Sequence, residues 1–193
     1  GLRYYVNTSN KMAGGVAIGQ VLRLNDDPGF TSSSGLRKKQ SDVFLAAELS
    51  LSNASYISFQ GLLGSNFKTK KTDFNAGFDY KTLYLDTKYS FLQADSEENR
   101  LNPIEELTIS TGHKLNYNWD VKSNLRYDQT ESHLASLGAG LAYENQCVLV
   151  NLEMDRRYSL EGTSPPTTNF SFAISLKGFS TGKMTAISEK SCK

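Results

Sequence analysis

Cysteine, histidine and long apolar runs are all scarce in this sequence. Its 193 residues contain two cysteines, Cys147 and Cys192, which are too few for a disulfide scaffold and too far apart for a zinc knuckle. The two histidines, His113 and His133, lack the spacing of metal ligands. No run approaches the roughly 18 apolar residues of a transmembrane helix. The sequence therefore predicts no metal site, no cofactor and no helical membrane span.

The charges have no dominant sign, since 21 Lys and Arg stand against 20 Asp and Glu for a formal net charge of +1. A global field that attracts nucleic acid is therefore absent, and we expect no nucleic-acid partner. No glycine-rich phosphate loop or nucleophile elbow is present. The paired carboxylates Asp26–Asp27 and Glu97–Glu98 are interpreted as solvated loop residues. The basic cluster of Lys68, Lys70 and Lys71 is interpreted as a loop tip that is either solvated or faces anionic lipid head groups. Because no catalytic constellation is found, we predict that the protein is not an enzyme.

Aromatic residues, by contrast, are abundant in a chain that is polar on average. Mean hydropathy is −0.43 and 38% of the residues are apolar, yet ten Tyr and ten Phe are present. Disordered chains are poor in aromatics. The chain must therefore fold in a way that separates its polar and aromatic residues.

The separation has a period of two. Between Val148 and Tyr158, for example, Val148, Val150, Leu152 and Met154 alternate with Asn151, Glu153, Asp155 and Arg157. Side chains on a strand point to opposite faces with this period, so each segment has one apolar and one polar face. The pattern predicts an all-β fold of about eleven antiparallel up-and-down strands. They fall at Leu2–Val6, Met12–Leu24, Asp42–Ser52, Tyr56–Gly64, Thr72–Lys81, Leu83–Gln93, Ile104–Leu115, Tyr117–Tyr127, Leu134–Tyr143, Val148–Ser159 and Thr168–Phe179.

Strand length and connection length favour part of a transmembrane outer-membrane β-barrel. Several strands approach or exceed the roughly nine to eleven residues that cross a bilayer, whereas strands of soluble sheets have about five or six. Short connections alternate with longer ones, as in outer-membrane barrels. We expect Asn25–Ser41 and Ala94–Pro103 to be extracellular, and Asn53–Ser55 and Glu144–Gln146 to be periplasmic. Asp128–His133 is also predicted to be one of the longer connections.

Two other classes of protein fit the same alternation. One is a complete small outer-membrane barrel of about ten strands, acting as an adhesin or a surface enzyme. The other is a soluble β-barrel that binds an apolar ligand. The chain starts at Gly1 without Met, and we expect it to be a fragment of a longer protein.

Several segments together resemble one known family. They are Tyr143–Cys147, Asp155–Tyr158, Pro165–Thr168 and Phe170–Phe179, with a looser likeness at Gly35–Leu36, Ser41–Asp42 and Asn102–Glu106. This combination resembles the C-terminal end of the LptD family, the translocon for lipopolysaccharide in the outer membrane of Gram-negative bacteria.

The resemblance implies an architecture and a set of partners. Residues 1–179 would form the C-terminal portion of the transmembrane barrel, and residues 180–193 a periplasmic tail. An LptE-like lipoprotein would plug the lumen, and an LptA-like periplasmic bridge would deliver lipopolysaccharide through a domain outside this chain. Lipopolysaccharide would leave sideways, through a seam between the first and last strands of the barrel.

The resemblance also implies roles for particular residues near the end of the chain. The last strand would line the lateral seam with Thr168, Asn169, Phe170, Phe172, Ile174 and Leu176. Pro165 and Pro166 lack N–H donors and would weaken strand pairing at the extracellular end, the alternative being that they merely rigidify the loop before the strand. Family members often carry adjacent cysteines before the penultimate strand, whereas this chain has Cys147 alone there and Cys192 near its end. We expect Cys147 to bond to a cysteine of the periplasmic domain, the alternatives being a buried thiol or a bridge to Cys192.

Overall fold

The computed structural model describes residues 1–8, 12–51, 55–159 and 165–177, and in them the chain forms eleven β-strands. The strands are β1 (Leu2–Asn7), β2 (Ala13–Gly19), β3 (Val43–Leu51), β4 (Ser55–Leu63), β5 (Thr69–Tyr80), β6 (Leu83–Leu92), β7 (Ile104–Lys114), β8 (Trp119–Asp128), β9 (His133–Glu144), β10 (Val148–Arg157) and β11 (Thr167–Leu176). Two short 3₁₀ turns, Ser32–Ser34 and Ser96–Glu98, complete the regular structure of these ranges. Within them, no helix has the length and apolar character needed to cross a membrane.

All eleven strands belong to one sheet whose spatial order is the sequence order. Each strand is antiparallel to the one before it, so the predicted all-β, up-and-down arrangement is confirmed. The sheet is open, because β1 and β11 are each paired along one side only. An open sheet of neighbouring up-and-down strands is what one part of a barrel wall looks like.

The connections differ in length between the two ends of the sheet. At one end, called the short-turn end, the strands are joined by residues 8–12, 52–54, 81–82, 115–118 and 145–147. At the other, called the long-loop end, they are joined by residues 20–42, 64–68, 93–103, 129–132 and 158–166. The longest connections therefore share one end, as predicted. The prediction of a longer connection at Asp128–His133 is wrong, because these two residues are themselves paired and leave a four-residue turn.

Strand β2 is shorter than its alternation predicted, ending at Gly19 rather than at Leu24. The next residues still pair, but only with the returning arm of the same loop: the Ser41 N–H donates to the Val21 carbonyl at 2.9 Å, and the Arg23 N–H to the Lys39 carbonyl at 2.7 Å. No third strand continues beside these arms, so the sheet stops while the loop goes on as a narrow ribbon. The predicted strand end at Gly178–Phe179, the tail at 180–193 and Cys192 lie outside the described residues.

Two β-bulges lie at the long-loop end. Lys70 is the extra residue of β5, since Leu62 pairs with Lys71 and Leu63 with Thr69. Ala135 is the extra residue of β9, between the pairs made by Arg126 and Tyr127. The carbonyls of both bulged residues accept a backbone N–H from the far side, from Gln93 and Tyr158 respectively. The strands therefore reach the long-loop end with a local change of register that the neighbouring segments stabilise.

The sheet is a single layer without a hydrophobic core. Among the described residues, Ala142 is the only apolar side chain that is buried. Most large apolar side chains remain exposed on one face, where no second sheet or helix covers them. Exposed apolar patches of this extent mark a surface that contacts something other than water.

Candidate functional site

The pairing register separates the sheet into an apolar face and a polar face. Residues that pair across neighbouring strands share a face, so one row runs through Phe172, Leu152, Leu141 and Val121. The adjacent positions Asn151 and Ala142 pair with each other on the opposite face. Further members of the apolar face are Tyr4, Val16, Ile18, Leu45, Leu49, Ile57, Phe59, Phe74, Phe78, Leu85, Tyr89, Ile109, Leu125, Leu137, Met154 and Ile174.

Aromatic side chains lie at both ends of the apolar face. At the short-turn end the Trp119 and Tyr143 rings pack with their centroids 4.9 Å apart. At the long-loop end Tyr89 and Tyr127 flank Leu107 on its two sides. Eight residues separate Trp119 from Tyr127, which is about 27 Å along the strand and about 20 Å in height at a tilt of about 40°. This arrangement matches the aromatic girdles that border the lipid-facing band of outer-membrane barrels.

On the polar face, tyrosine rings lie over glycines of the next strand. Tyr56 pairs with Gly77, and Tyr84 with Gly112. A Cβ atom added at Gly77 would lie 2.2 Å from the Tyr56 ring, and one at Gly112 would lie 2.0 Å from the Tyr84 ring. The Tyr56 hydroxyl continues past Gly77 and donates to Asp86 Oδ2 at 2.5 Å. Glycine is required at these positions because any side chain there would occupy the space of the tyrosine ring that lies against the sheet.

Two long-loop-end connections, residues 20–42 and 93–103, hold each other in what we call the loop cluster. The Ser33 N–H donates to Asp95 Oδ2 at 2.7 Å, and the Ser33 hydroxyl donates to Glu98 Oε1 at 2.7 Å. Thr31 adds a hydroxyl hydrogen bond to the same Glu98 oxygen at 2.5 Å. The loops therefore meet across the β4–β5 turn that separates them in the sheet.

The loop cluster packs against the polar face. The Lys70 ammonium lies 2.7 Å from Asp42 Oδ2 and donates to the Ser32 carbonyl at 2.8 Å. Gly35 has a φ of +71°, and a Cβ added there would lie 2.7 Å from a methyl of Leu62, which is a polar-face position paired with Phe44. The 20–42 loop therefore covers the long-loop end of the polar face rather than extending away from the sheet.

Electrostatics favour the ionised form of Asp95 and Glu98, the two carboxylates that accept hydrogen bonds from the 20–42 loop. Burial tends to raise the pKa of Asp95, but hydrogen bonds from Ser33 and Glu97 and the charge of Arg100 together outweigh it and lower the pKa. Hydrogen bonds from Thr31, Ser33 and Arg100 lower the pKa of Glu98. Glu98 is exposed and Lys70 is partly exposed, in keeping with their interpretation as solvated residues, but both also engage partners on other connections. No sequence signal marked these contacts, because the partners on the 20–42 loop lie 28 to 67 residues away.

The predicted seam residues all lie on β11, the last described strand. Strand β11 pairs with β10 from Arg157–Thr167 to Val148–Leu176, and its other edge is open within the described chain. Phe170 and Phe172 are 74% and 65% exposed and lie on the apolar face with Thr168, Ile174 and Leu176, whereas Asn169 lies on the polar face. Pro165 and Pro166 come directly before the first paired residue, Thr167. The structure thus brings the predicted residues together on one open edge.

Cys147 lies in the 145–147 turn, at the short-turn end and far from the loop cluster. Its N–H donates to Asn145 Oδ1 at 2.9 Å, and its carbonyl accepts from the Lys177 N–H at 2.8 Å. Cys147 is not a free thiol. Among the described residues, no group of three or more His, Cys, Asp or Glu side chains is placed to hold a metal ion.

Comparison with known proteins identifies the family. The family model of LptD, described as LPS transport system D, matches residues 1–119, which is more than half of the chain. The match covers strands β1 to β7 and the loop cluster, whereas the segments that carried the resemblance most strongly lie after it. A search of curated proteins finds no match. A single open sheet with one apolar and one polar face, together with this match, shows that the chain belongs to the LptD family.

Proposed function

We propose that this chain is a segment of the wall of an outer-membrane translocon that inserts lipopolysaccharide into the outer leaflet. The family is one of transport and assembly at the outer membrane rather than of enzymes. The observation that carries the proposal is the division of one uncovered sheet into an apolar and a charged face. This combination favours transport over an adhesin, a surface enzyme or a soluble carrier.

The two faces meet different surroundings in this proposal. The apolar face contacts hydrocarbon, and the polar face lines a hydrated lumen. An Arg or Lys on the lipid face costs about 2–4 kcal/mol at the bilayer midplane and less near the interfaces. Lys88, Lys122 and Arg126 accordingly lie on the other face, and Arg156 lies on the apolar face only at the long-loop end. An LptE-like plug would occupy the lumen against this polar face.

The two ends of the sheet face different compartments. Outer-membrane barrels have short periplasmic turns and longer extracellular loops, so the long-loop end is extracellular and the short-turn end periplasmic. The loop cluster then covers the lumen from the outside. An LptA-like bridge would connect on the periplasmic side, through a domain that precedes this segment in a longer chain.

The open edge of β11 is the proposed side of the exit. Pro165 and Pro166 supply no N–H donors just before the ladder, so pairing cannot extend beyond Thr167 through them. The weakest pairing of the seam then lies at the extracellular end, where lipopolysaccharide enters the outer leaflet.

A pair of engineered disulfides tests this exit. Asn169→Cys is combined with a cysteine at the facing position of the first barrel strand in the full protein, and surface lipopolysaccharide is measured in whole cells. We expect delivery to stop while assembly stays intact, and to resume after reduction. The matched control, Asn169→Cys with Asp155→Cys, links β11 to its existing partner and leaves the seam free. Normal delivery by the seam-linked protein would exclude exit beside this strand.

The same proposal assigns Cys147 a role in fixing the periplasmic domain beneath the barrel. The 145–147 turn would be periplasmic, where an oxidising compartment permits disulfides. We expect Cys147 to bond to a cysteine of that domain, with Cys192 as the alternative partner. Non-reducing electrophoresis of the full protein decides between them: the mobility shift should disappear in Cys147→Ser and persist in Cys192→Ser. Its loss in both variants would assign the local bridge instead.

A further inference from the structure

Three neighbouring rows of the polar face each carry charges of a single sign on strands β5 to β11. One row, called the basic row, runs across seven strands and contains Asn75, Lys88, Thr108, Arg126, Ser136, Arg157 and Thr167. On these seven strands it holds three cations, no carboxylate, and a hydroxyl or amide at each remaining position, and it continues on the next two strands through Ser58 to Glu48. Cross-strand pairing normally sets opposite charges side by side. Here the cations are instead separated from each other by Thr108 and Ser136.

The rows on either side of the basic row are acidic. Toward the long-loop end, the adjacent row contains Asp73, Glu106 and Asp128 without a cation. Toward the short-turn end, the adjacent row contains Asp86 and Asp155 without a cation. These carboxylates are the charged groups that face the basic row along its strands, and they confine it to one level of the wall.

Two cations of the basic row have no partner among the described residues. Arg157 Nε lies 2.9 Å from Asp155 Oδ2. Lys88 and Arg126, in contrast, are exposed and make no ion pair or side-chain hydrogen bond within the described ranges. The carboxylates of the two adjacent rows therefore border the basic row but form no ion pair with Lys88 or Arg126 within the described ranges.

The spacing of the free cations suits a phosphate group. Lys88 and Arg126 lie two strands apart, which is about 10 Å, with Thr108 between them. Their long side chains can converge above Thr108, whose hydroxyl supplies a third donor. Phosphate oxygens accept charge-assisted hydrogen bonds from ammonium and guanidinium groups. The neighbouring hydroxyls of Ser136 and Thr167 suit the polar groups of a saccharide.

We propose that the basic row, centred on Lys88, Thr108 and Arg126, binds the phosphorylated saccharide of lipopolysaccharide during its passage along the polar face. This inference rests on the proposed transport function and names the surface that the cargo touches. Charge complementarity selects the phosphorylated part of the cargo, because the flanking acidic rows repel an anion that strays from this level. The site orients the saccharide and makes or breaks no bond.

Photo-crosslinking in the full protein tests the site. A photoreactive amino acid replaces Thr108 in living cells, and adducts are detected with antibodies against lipopolysaccharide and by mass. We expect a lipopolysaccharide adduct that falls at least about tenfold in the Lys88→Gln/Arg126→Gln background, since each charge-assisted hydrogen bond that is lost weakens binding by about that factor or more. The matched control is Lys122→Gln, which removes a cation from the same face of β8 but from another row. It should leave the yield within about twofold, since the charge removed is not in the row.

The outcomes separate this inference from the transport proposal. Absence of a lipopolysaccharide adduct at Thr108, an equal yield in both backgrounds, or an adduct with a protein plug alone would overturn the basic row as a cargo site. Surface lipopolysaccharide is measured in the same cells after depletion of the full protein. Delivery that is unaffected by depletion would reject the transport function itself, whereas delivery that depends on the protein without a Thr108 adduct rejects only the site.

Discussion

The polar face of β2 to β4 differs from the polar face of β5 to β10, although both follow the same alternation. In the first region, Glu48 is the only charged residue on that face of the three strands, and positions such as Gly15, Ala17 and Ala46 are small. In the second, nearly every strand contributes charges of both signs. The first region also carries the 20–42 loop, which folds back over its long-loop end. The alternation thus determines which face is polar, but it does not determine whether that face carries small uncharged residues or many charged ones.

The largest effect is expected from an Arg placed on the apolar face of β10, in the charged region, when it is compared with an Arg placed on the polar face of the same strand. Leu152→Arg should prevent assembly, because an Arg near the bilayer midplane costs about 2–4 kcal/mol. Asn151→Arg should assemble normally, because it adds one more charge to a hydrated face. The heat-modifiable mobility of outer-membrane fractions reports assembly. Equal assembly of the two variants would contradict the assignment of the faces.

A smaller effect, different in the two regions, is expected from adding a methyl group to the glycines beneath tyrosines. Gly112→Ala in the charged region should destabilise the protein by about 1–3 kcal/mol, since the new Cβ would lie 2.0 Å from the Tyr84 ring. Gly15→Ala in the small-residue region should cost less, since its nearest contact is 3.0 Å from Tyr5. Urea unfolding of the full protein in vesicles measures both. Tyr84→Ala should relieve the cost of Gly112→Ala, and a cost that persists in the double variant would argue against the ring contact.

The smallest effect concerns the loop cluster and its dependence on pH. The pKa values of Asp95 and Glu98 are lowered in the folded state, so their contribution is complete above the ordinary carboxyl pKa of about 4. It is lost as the pH falls through the lowered values. Hydrogen exchange of the Ser33 amide, which donates to Asp95, should therefore show protection that weakens in strong acid.

The matched variant for this prediction is Asp95→Asn. It should weaken Ser33 protection already at neutral pH and flatten the acid dependence, whereas Asp26→Asn, in the loop of Ser33 but bonded only within that loop, should change neither. Protection that is identical in wild type and Asp95→Asn would show that the carboxylate does not hold the loop.

The sequence predicted the strands and their faces because alternation is a local property. Leu152 and Asn151 are assigned to opposite faces by parity alone, and the register agrees. The predicted extent of β2 was wrong because a strand ends where its neighbours end: its pairing with β1 ends at Ile18 and its pairing with β3 ends at Gly19. Pairing partners are set by the whole sheet, which a local pattern does not encode.

The contacts of the candidate site could not be predicted from the sequence without the pairing register of the strands. Neither Tyr84 nor Gly112 is unusual in the sequence, and their contact follows only from β6 and β7 being paired at that position. The basic row likewise combines residues from different strands, none of which forms a charged run. The family resemblance pointed to the last strands, and the assignment of six residues of β11 to a lateral seam stays a prediction, because the last strand of this sheet has an open edge whatever its role.

The two bulges, at Lys70 and Ala135, bear on how such a wall can change length during evolution. An extra residue inside a strand reverses the facing of every position between the insertion and the strand end. At these sites only Thr69 of β5 and His133–Leu134 of β9 lie between the extra residue and the strand end, so almost no side chain changes face. Insertions and deletions can therefore accumulate at the long-loop end. The short-turn end, such as the two-residue turn at 81–82, has no comparable tolerance.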